Sequence, residues 1–374
     1  MKSIVFCLSL LAFCISQQSA LPQAKPVIIS IEPVKDKIPD IFDHIKKIKI
    51  VALESSPDFI IGKFHPPIVS EKYIILYDTK TIFCFDNEGE FVSRISNIGK
   101  GPGEYLSITS TAINHAATEI EVLSQGNHKI FRYDIASGDY LGSVDLPTLT
   151  YDFCIYAGKH YFYFSRGLNE DWPIDGFDSH HQIYQADYLN GKIAKQFLSG
   201  STRMFPWKPF NSVGGKLYVN VADSDTIYQF NNGRFDPCYI VNFTKQTSTA
   251  EYWNTPFGKR KSIKNYAHWL STSISEEFLL INYRLIDGSP NNHFLFDRKT
   301  GSSVDFTLES TTILNVPLEY HSCYLHNNSL LIVVHAFELL DLDHKSFVYK
   351  ELVRTKFEFN ENSNPVLLFF ELEI

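Results

Sequence analysis

Ile82-Phe83-Cys84-Phe85-Asp86 is a short apolar run closed by a carboxylate, and the chain repeats it. Further copies are Ile130-Phe131-Arg132-Tyr133-Asp134, Ile183-Tyr184-Gln185-Ala186-Asp187, Ile227-Tyr228-Gln229-Phe230-Asn231 and His293-Phe294-Leu295-Phe296-Asp297, with a degenerate sixth at Leu367-Leu368-Phe369-Phe370-Glu371. Aromatic and β-branched residues favour a pleated strand. A glycine follows each of the first five copies, at Gly89, Gly138, Gly191, Gly233 and Gly301. Asn, Asp and Gly tolerate the positive φ of a tight reversal, so each copy is expected to run into a hairpin. Another strand pattern follows the turn, as at 90–95, 140–144 and 192–197. An apolar strand precedes the motif at 73–77, 120–123, 160–164, 216–221, 278–283 and 330–335. With a weaker strand in front, each unit reads as a four-stranded meander.

The motif ends at residues 86, 134, 187, 231, 297 and 371, so successive copies lie 48, 53, 44, 66 and 74 residues apart. Those intervals centre near the length of one four-stranded propeller blade. A blade cannot bury both faces by itself, so the six must stack radially around a channel. The expected fold is therefore all-β: a six-bladed β-propeller of four-stranded antiparallel blades, forming a single domain over residues 41–374. The sixth unit runs out of chain before its outermost strand. The solitary strand pattern Lys47-Ile48-Lys49-Ile50-Val51-Ala52-Leu53 is expected to complete that blade, which removes an open sheet edge.

Outside the repeat, Met1-Lys2-Ser3 and the apolar run 4–15 have the arrangement of a secretory signal peptide, placed at 1–20 with 21–40 as a linker. Two exits are open: cleavage after Ala20, or lipidation at Cys14, where Phe13 stands in place of the usual small residue. Export is expected, to the periplasm, outer membrane or cell surface, with any membrane contact made through one lipid anchor. Of the 374 residues 44% are hydrophobic and 14% aromatic, and the formal charge is −8, a field that repels a phosphate backbone and argues against nucleic acid. Cys84, Cys154, Cys238 and Cys323 are spaced too widely for a zinc knuckle or a compact disulfide scaffold and are read as single buried thiols.

Three further segments carry a resemblance: Ala52-Leu53-Glu54, Gly99-Lys100-Gly101-Pro102-Gly103-Glu104-Tyr105 and Asn364-Pro365-Val366-Leu367. Over about residues 40–374 the chain resembles a six-bladed β-propeller family of Bacteroidetes envelope proteins, distantly similar to NHL-repeat propellers and including lipoproteins. One departure is Ala52, where the family pattern has proline after Val51. The resemblance implies the fold and an envelope location, and it implies no active site. Closely spaced glycines at 99–103 suit backbone approach to a phosphate, but the following residues 106–111 continue as strand-like sequence and open no helix. The segment is read as a tight inter-blade connection.

No zinc-protease, nucleophile-elbow, Walker or complete EF-hand motif is present in the sequence. Candidate function therefore rests on which loops share a face. In a four-stranded blade the loop between the second and third strands emerges beside the connection to the next blade. The longest insertions fall on that face, at 166–181, 200–210, 244–271 and 284–292. They carry Arg166, Asp171, Trp172 and Asp175; Arg203, Phe205 and Trp207; Tyr252, Trp253 and Trp269; and Arg284. Of these, Arg166, Trp172, Arg203, Trp207, Tyr252, Trp253 and Arg284 are the candidate ligand-binding residues. Indole plates stack on sugar rings, and Arg hydrogen-bonds hydroxyl or acid groups. His180-His181 with Asp175 and Asp178 is poor metal-site material, because neighbours in an extended segment point apart. No metal site is assigned. Residues 337–357 have roughly helical spacing and are expected to lie across the last blade.

The expected role is a non-catalytic binding or interaction module recognising a glycan, peptide or envelope protein. The expected state is a monomer without cofactor, calcium being the one ion left open. The alternative is a metal-dependent lactonase- or lyase-like propeller enzyme, which requires inward-facing carboxylate, amide or imidazole groups from at least three blades to converge.

Overall fold

Each apolar motif becomes the third strand of its own small sheet. The computed structural model describes residues 25–33, 41–146, 150–163, 181–187, 192–199, 208–221, 224–247, 251–252, 255–260, 262–263, 266–285, 291–307, 323–340, 342, 347–355 and 360–373. Two strands, β1 (Val27–Ile31) and β2 (Ile45–Ala52), precede the first blade. Blade 1 is β3 (Ile68–Val69), β4 (Tyr73–Tyr77), β5 (Ile82–Asp86) and β6 (Phe91–Ile95); blade 2 is β7 (Ser110–Ile113), β8 (Glu119–Ser124), β9 (Lys129–Asp134) and β10 (Tyr140–Asp145). Blade 3 is β11 (Asp152–Tyr156), β12 (Lys159–Tyr163), β13 (His181–Ala186) and β14 (Ile193–Ser199). Blade 4 comprises β15 (Phe210–Val213), β16 (Lys216–Asn220), β17 (Thr226–Asn231) and β18 (Arg234–Phe243). Blade 5 comprises β19 (Ala267–Ile274), β20 (Phe278–Leu285), β21 (Asn291–Asp297) and β22 (Ser303–Thr307). Blade 6 runs β23 (Cys323–His326), β24 (Ser329–Val334), β25 (Val366–Leu372), and is closed by β2. The molecule is a six-bladed β-propeller.

The middle strands are buried on both faces, which is why they read as continuous apolar runs; β24 has five consecutive buried residues. The outer strand β10 alternates exposed and half-buried positions. Buried side chains gather in six clusters, one at each junction of neighbouring blades. Blades 1 and 2, for instance, meet through Ile75, Ile82, Ile120, Val122 and Tyr133. First strands of successive blades adjoin around the axis and are laced by side chains. Ser110 Oγ donates to the Asp152 carboxylate, Asn211 Nδ2 to Thr272 O at 3.3 Å, and Leu325 N to Ser273 Oγ at 2.8 Å.

Closure occurs as expected, in the last blade. β2 pairs antiparallel with β25, setting Ile48 against Phe370 and Ile50 against Leu368. Asn364, just before β25, holds the seam: Oδ1 accepts from Ile61 N at 2.8 Å, Nδ2 donates to Glu54 O at 2.7 Å, and its own N–H donates to Ser55 Oγ at 2.8 Å. Gly89 (φ +91°) lets the first-blade turn press on the closing strand, where a Cβ would stand 2.3 Å from Ala52 O. Two of the resemblance segments are thus the two sides of this seam.

Within 21–40, expected as a linker, residues 27–31 form β1, a fifth strand running parallel to β18 at the edge of blade 4. Ile29 and Ile31 point into the cluster between blades 4 and 5 and are fully buried, which supplies the reason for the strand. The helical insertion is present as Ala336–Leu340 and Phe347–Thr355. Its Leu339, Val348 and Leu352 pack with Ile48 and Val366 over blade 6. Cys84, Cys154, Cys238 and Cys323 are free thiols, and burial raises the pKa of each.

Candidate functional site

Because each blade is a four-stranded antiparallel meander, the connections between blades and the loops joining second to third strands share one face. Of the candidate residues there, Arg166, Trp172, Arg203, Trp207 and Trp253 lie outside the described residues, as do Asp171, Asp175 and Phe205. Tyr252 and Arg284 are described, and the fold brings them to one aromatic ladder. Tyr252 stacks on Tyr266 with centroids 3.9 Å apart, and Tyr266 in turn stacks on His268 at 5.8 Å. The Arg260 guanidinium lies over the Tyr252 ring at 5.7 Å. At the other end Arg284 pairs across strands with His268. Burial and the positive charge of Arg284 hold His268 below its ordinary pKa. Cations therefore flank both ends of a flat apolar stack.

Trp269 does not belong to a loop. It sits within β19, 6% exposed, and its indole N–H reaches Thr272 Oγ1 at 2.9 Å and Ser271 O at 3.2 Å. Its indole has a hydrogen-bonded place in the core between blades 4 and 5, so the residue pins the innermost strand.

The glycine-rich connection is closed by its own acid. Gly101 N donates to Glu104 Oε2 at 2.7 Å, and a Cβ on Gly99 would meet that same oxygen at 1.9 Å. Tyr105 O–H donates to Lys80 O at 2.8 Å and Tyr133 O–H to Gly103 O at 2.8 Å, tying blade 1 to blade 2. The position a phosphate would take is filled by a side chain.

A cavity of about 370 Å³ opens along the channel wall between blades 4, 5, 6 and 1. Pro66 and Lys208, which precede the innermost strands β3 and β15, mark its end at the loop-rich face, and His326 at the end of β23 marks the other. Between them stand Phe210, Asn211, Ser271, Thr272, Asn291 and Tyr324. This apolar wall with a few convergent polar groups is the usual make-up of a small-molecule site.

A hydrogen-bond chain supports the wall. Asn282 Nδ2 donates to Ser271 Oγ at 2.8 Å and to Cys323 O at 3.1 Å; since a carbonyl only accepts, this orients the amide and turns Oδ1 toward His293 Nδ1 at 2.7 Å. Nδ1 therefore carries the proton. Burial lowers the His293 pKa to about 3, so the ring is neutral and Nε2 is an acceptor. At the opposite wall, Lys208 Nζ donates to Pro66 O at 3.0 Å, and burial lowers its pKa to about 8 against the opposing pull of Asp152. Burial raises the Asp152 carboxyl.

Sequence reading missed Lys208, Asn282 and His293. Lys208 stands one residue beyond the selected Trp207, and Asn282 and His293 sit in strand patterns assigned to the core. Among the described residues no three His, Cys, Asp or Glu side chains gather in a metal-binding group.

Residues 27–371 match the model of a family described as a domain of unknown function, DUF4934. No curated protein is similar in sequence. A Bacteroides fragilis protein named as exported superposes with a TM-score of 0.75 at 16% identity, covering 93% of this chain and 100% of that one. A DUF4221 member from Bacteroides vulgatus superposes with a TM-score of 0.54 at 11% identity, covering 88% and 97%. At these identities the likeness is one of fold.

Proposed function

The chain belongs to the DUF4934 family, and from that premise we propose that it is a non-catalytic binding module of the bacterial cell envelope, taking a glycan or peptide ligand, alone or as part of a larger partner, at the channel and its loop-rich mouth. The channel cavity carries the reading. It has the size and mixed lining of a small-ligand site, and among the described residues that line it there is no carboxylate, whereas a metal-dependent lactonase needs several. The Arg260–Tyr252–Tyr266–His268 ladder, with Tyr266 buried and its neighbours half-buried, adds aromatic and cationic groups beside the loop-rich mouth. The exported Bacteroides fragilis protein of similar fold supports an envelope location, as does the signal-like N-terminus.

A thermal-shift screen of the mature protein against oligosaccharides, short peptides, calcium, zinc and chelator tests this. A ligand at a hundred times its Kd adds about 2.7 kcal/mol to native stability. The expected result is a glycan or peptide shift that Tyr324→Ala or Trp207→Ala weakens and chelator leaves alone. A metal-dependent shift reversed by chelator, with turnover of a lactone, would replace the module by the enzyme.

A further inference from the structure

The wall of the channel cavity is uneven in charge, and this bears on what the module binds; the inference rests on the proposed binding role. Among the described residues that line it, Lys208 alone is charged at neutral pH. His293 is neutral through burial, and His326 is held down by burial and by Lys49. Lys208 Nζ makes one hydrogen bond to a described residue, the 3.0 Å contact with Pro66 O, while an ammonium carries three donors. Its counter-charge, Asp152, is engaged by Ser110 Oγ on the first strands of blades 2 and 3 and does not line the cavity. The ammonium of this lining residue is thus largely desolvated, with one of its three donors paired among the described residues, which favours an acid group arriving there.

We propose that the channel cavity is a carboxylate-binding site in which the Lys208 ammonium receives the acid group of a small, otherwise neutral ligand. Two sources share that chemistry, an acidic sugar and the C-terminal carboxylate of a short peptide. Either body fits about 370 Å³ and meets Tyr324 and Phe210 as apolar plates, with Asn291 and the Ser271–Ser273 segment for hydrogen bonding. The other charged groups facing Lys208 are Asp152 and, through the depressed imidazole, His65.

The test follows the Lys208 side chain itself by NMR of lysine-labelled protein, with Lys208→Met to assign the signal. Four probes are added in matched pairs: galacturonate with galactose, and acetyl-dialanine with its amide. Without ligand the signal is expected to titrate near pH 8. One acid of a pair, galacturonate for a sugar ligand or the free peptide for a peptide ligand, is expected to raise that midpoint by a unit or more, while its neutral partner leaves it in place. Calorimetry is expected to show the acid bound at least tenfold more weakly by Lys208→Met and by wild type above pH 9, with Lys208→Arg retaining most of the affinity. Neutral members binding as well as acids would overturn the charge inference and leave the module standing. A midpoint unmoved by every acid would overturn it as well, and the wider thermal-shift panel then decides the module separately.

Discussion

Two places in this molecule join parts of the chain that are far apart in sequence, the seam between blades 6 and 1 and the channel wall between blades 4 and 6. They are built in opposite ways. At the seam each polar group of Asn364 has a partner, and the backbones of Gly89 and Ala52 approach so closely that a single methyl does not fit. At the channel wall the innermost strands leave about 370 Å³ open and one ammonium incompletely paired. The seam is closed at Asn364 and Gly89 only, since a second cavity of about 380 Å³ opens beside Lys49, Glu71 and Phe369. Contacts as tight as those of Asn364 and Gly89 are specified by folding, whereas a cavity lined by unspent hydrogen-bonding groups needs another reason for its residues.

The sharpest way to break the contrast is Gly89→Ala. The new Cβ would lie 2.3 Å from a backbone oxygen at φ +91°, and neither backbone can yield without parting the closing strand. The expected loss is about 3 kcal/mol or more, read from denaturant unfolding. A loss below about 1 kcal/mol would mean that the seam is loose after all. Asn364→Ala comes next, leaving the buried Ile61 N–H and the part-buried Glu54 C=O without their partner at an expected cost of about 2 kcal/mol. Asn364→Asp keeps the acceptor for Ile61 and loses the donor to Glu54, so it is expected to melt below wild type at neutral pH.

The seam was legible in the sequence and the channel was not, for a physical reason. Hairpin glycines, apolar third strands and a spare N-terminal strand are local signals with a fixed period, and all six blades follow from them. The strand β1 was also present as alternation in Val27-Ile28-Ile29-Ser30-Ile31, but it lay outside the repeat and had no blade to claim it. Cavity residues obey no such period. Asn282 and His293 are hidden inside strands whose apolar neighbours dominate the pattern, and the long insertion before β19 makes Trp269 read as a loop residue.

Asp305 sharpens the distinction between burial and satisfaction. Its Oδ2 accepts from Tyr283 O–H at 2.8 Å, while the buried Oδ1 has no side-chain partner among the described residues. Burial raises its folded-state pKa to about 6, above the unfolded value of about 3.9. The native state therefore binds this proton more tightly than the unfolded state. The stabilisation is full below pH about 3.9 and is lost as pH rises through about 6. Asp305→Asn is expected to remove that dependence and to be more stable than wild type by about 1 kcal/mol at pH 7.5, a modest figure because the group is partly exposed. Parallel pH–stability profiles of the two proteins would refute the assignment.

The smallest expected effect lies at the cavity. Asn291 is half-buried on the channel wall at the start of β21, where its backbone pairs with Arg284 whatever side chain it carries. Asn291→Ala is expected to change stability by no more than about 0.5 kcal/mol, since it removes neither a core contact nor a ladder bond. If the cavity serves a ligand, the same variant weakens binding while leaving the melt untouched, the reverse of what Asn364→Ala does. A loss of stability as large as at the seam would show that the wall residues are held for folding. The contrast between a closed seam and an open channel would then carry no functional meaning.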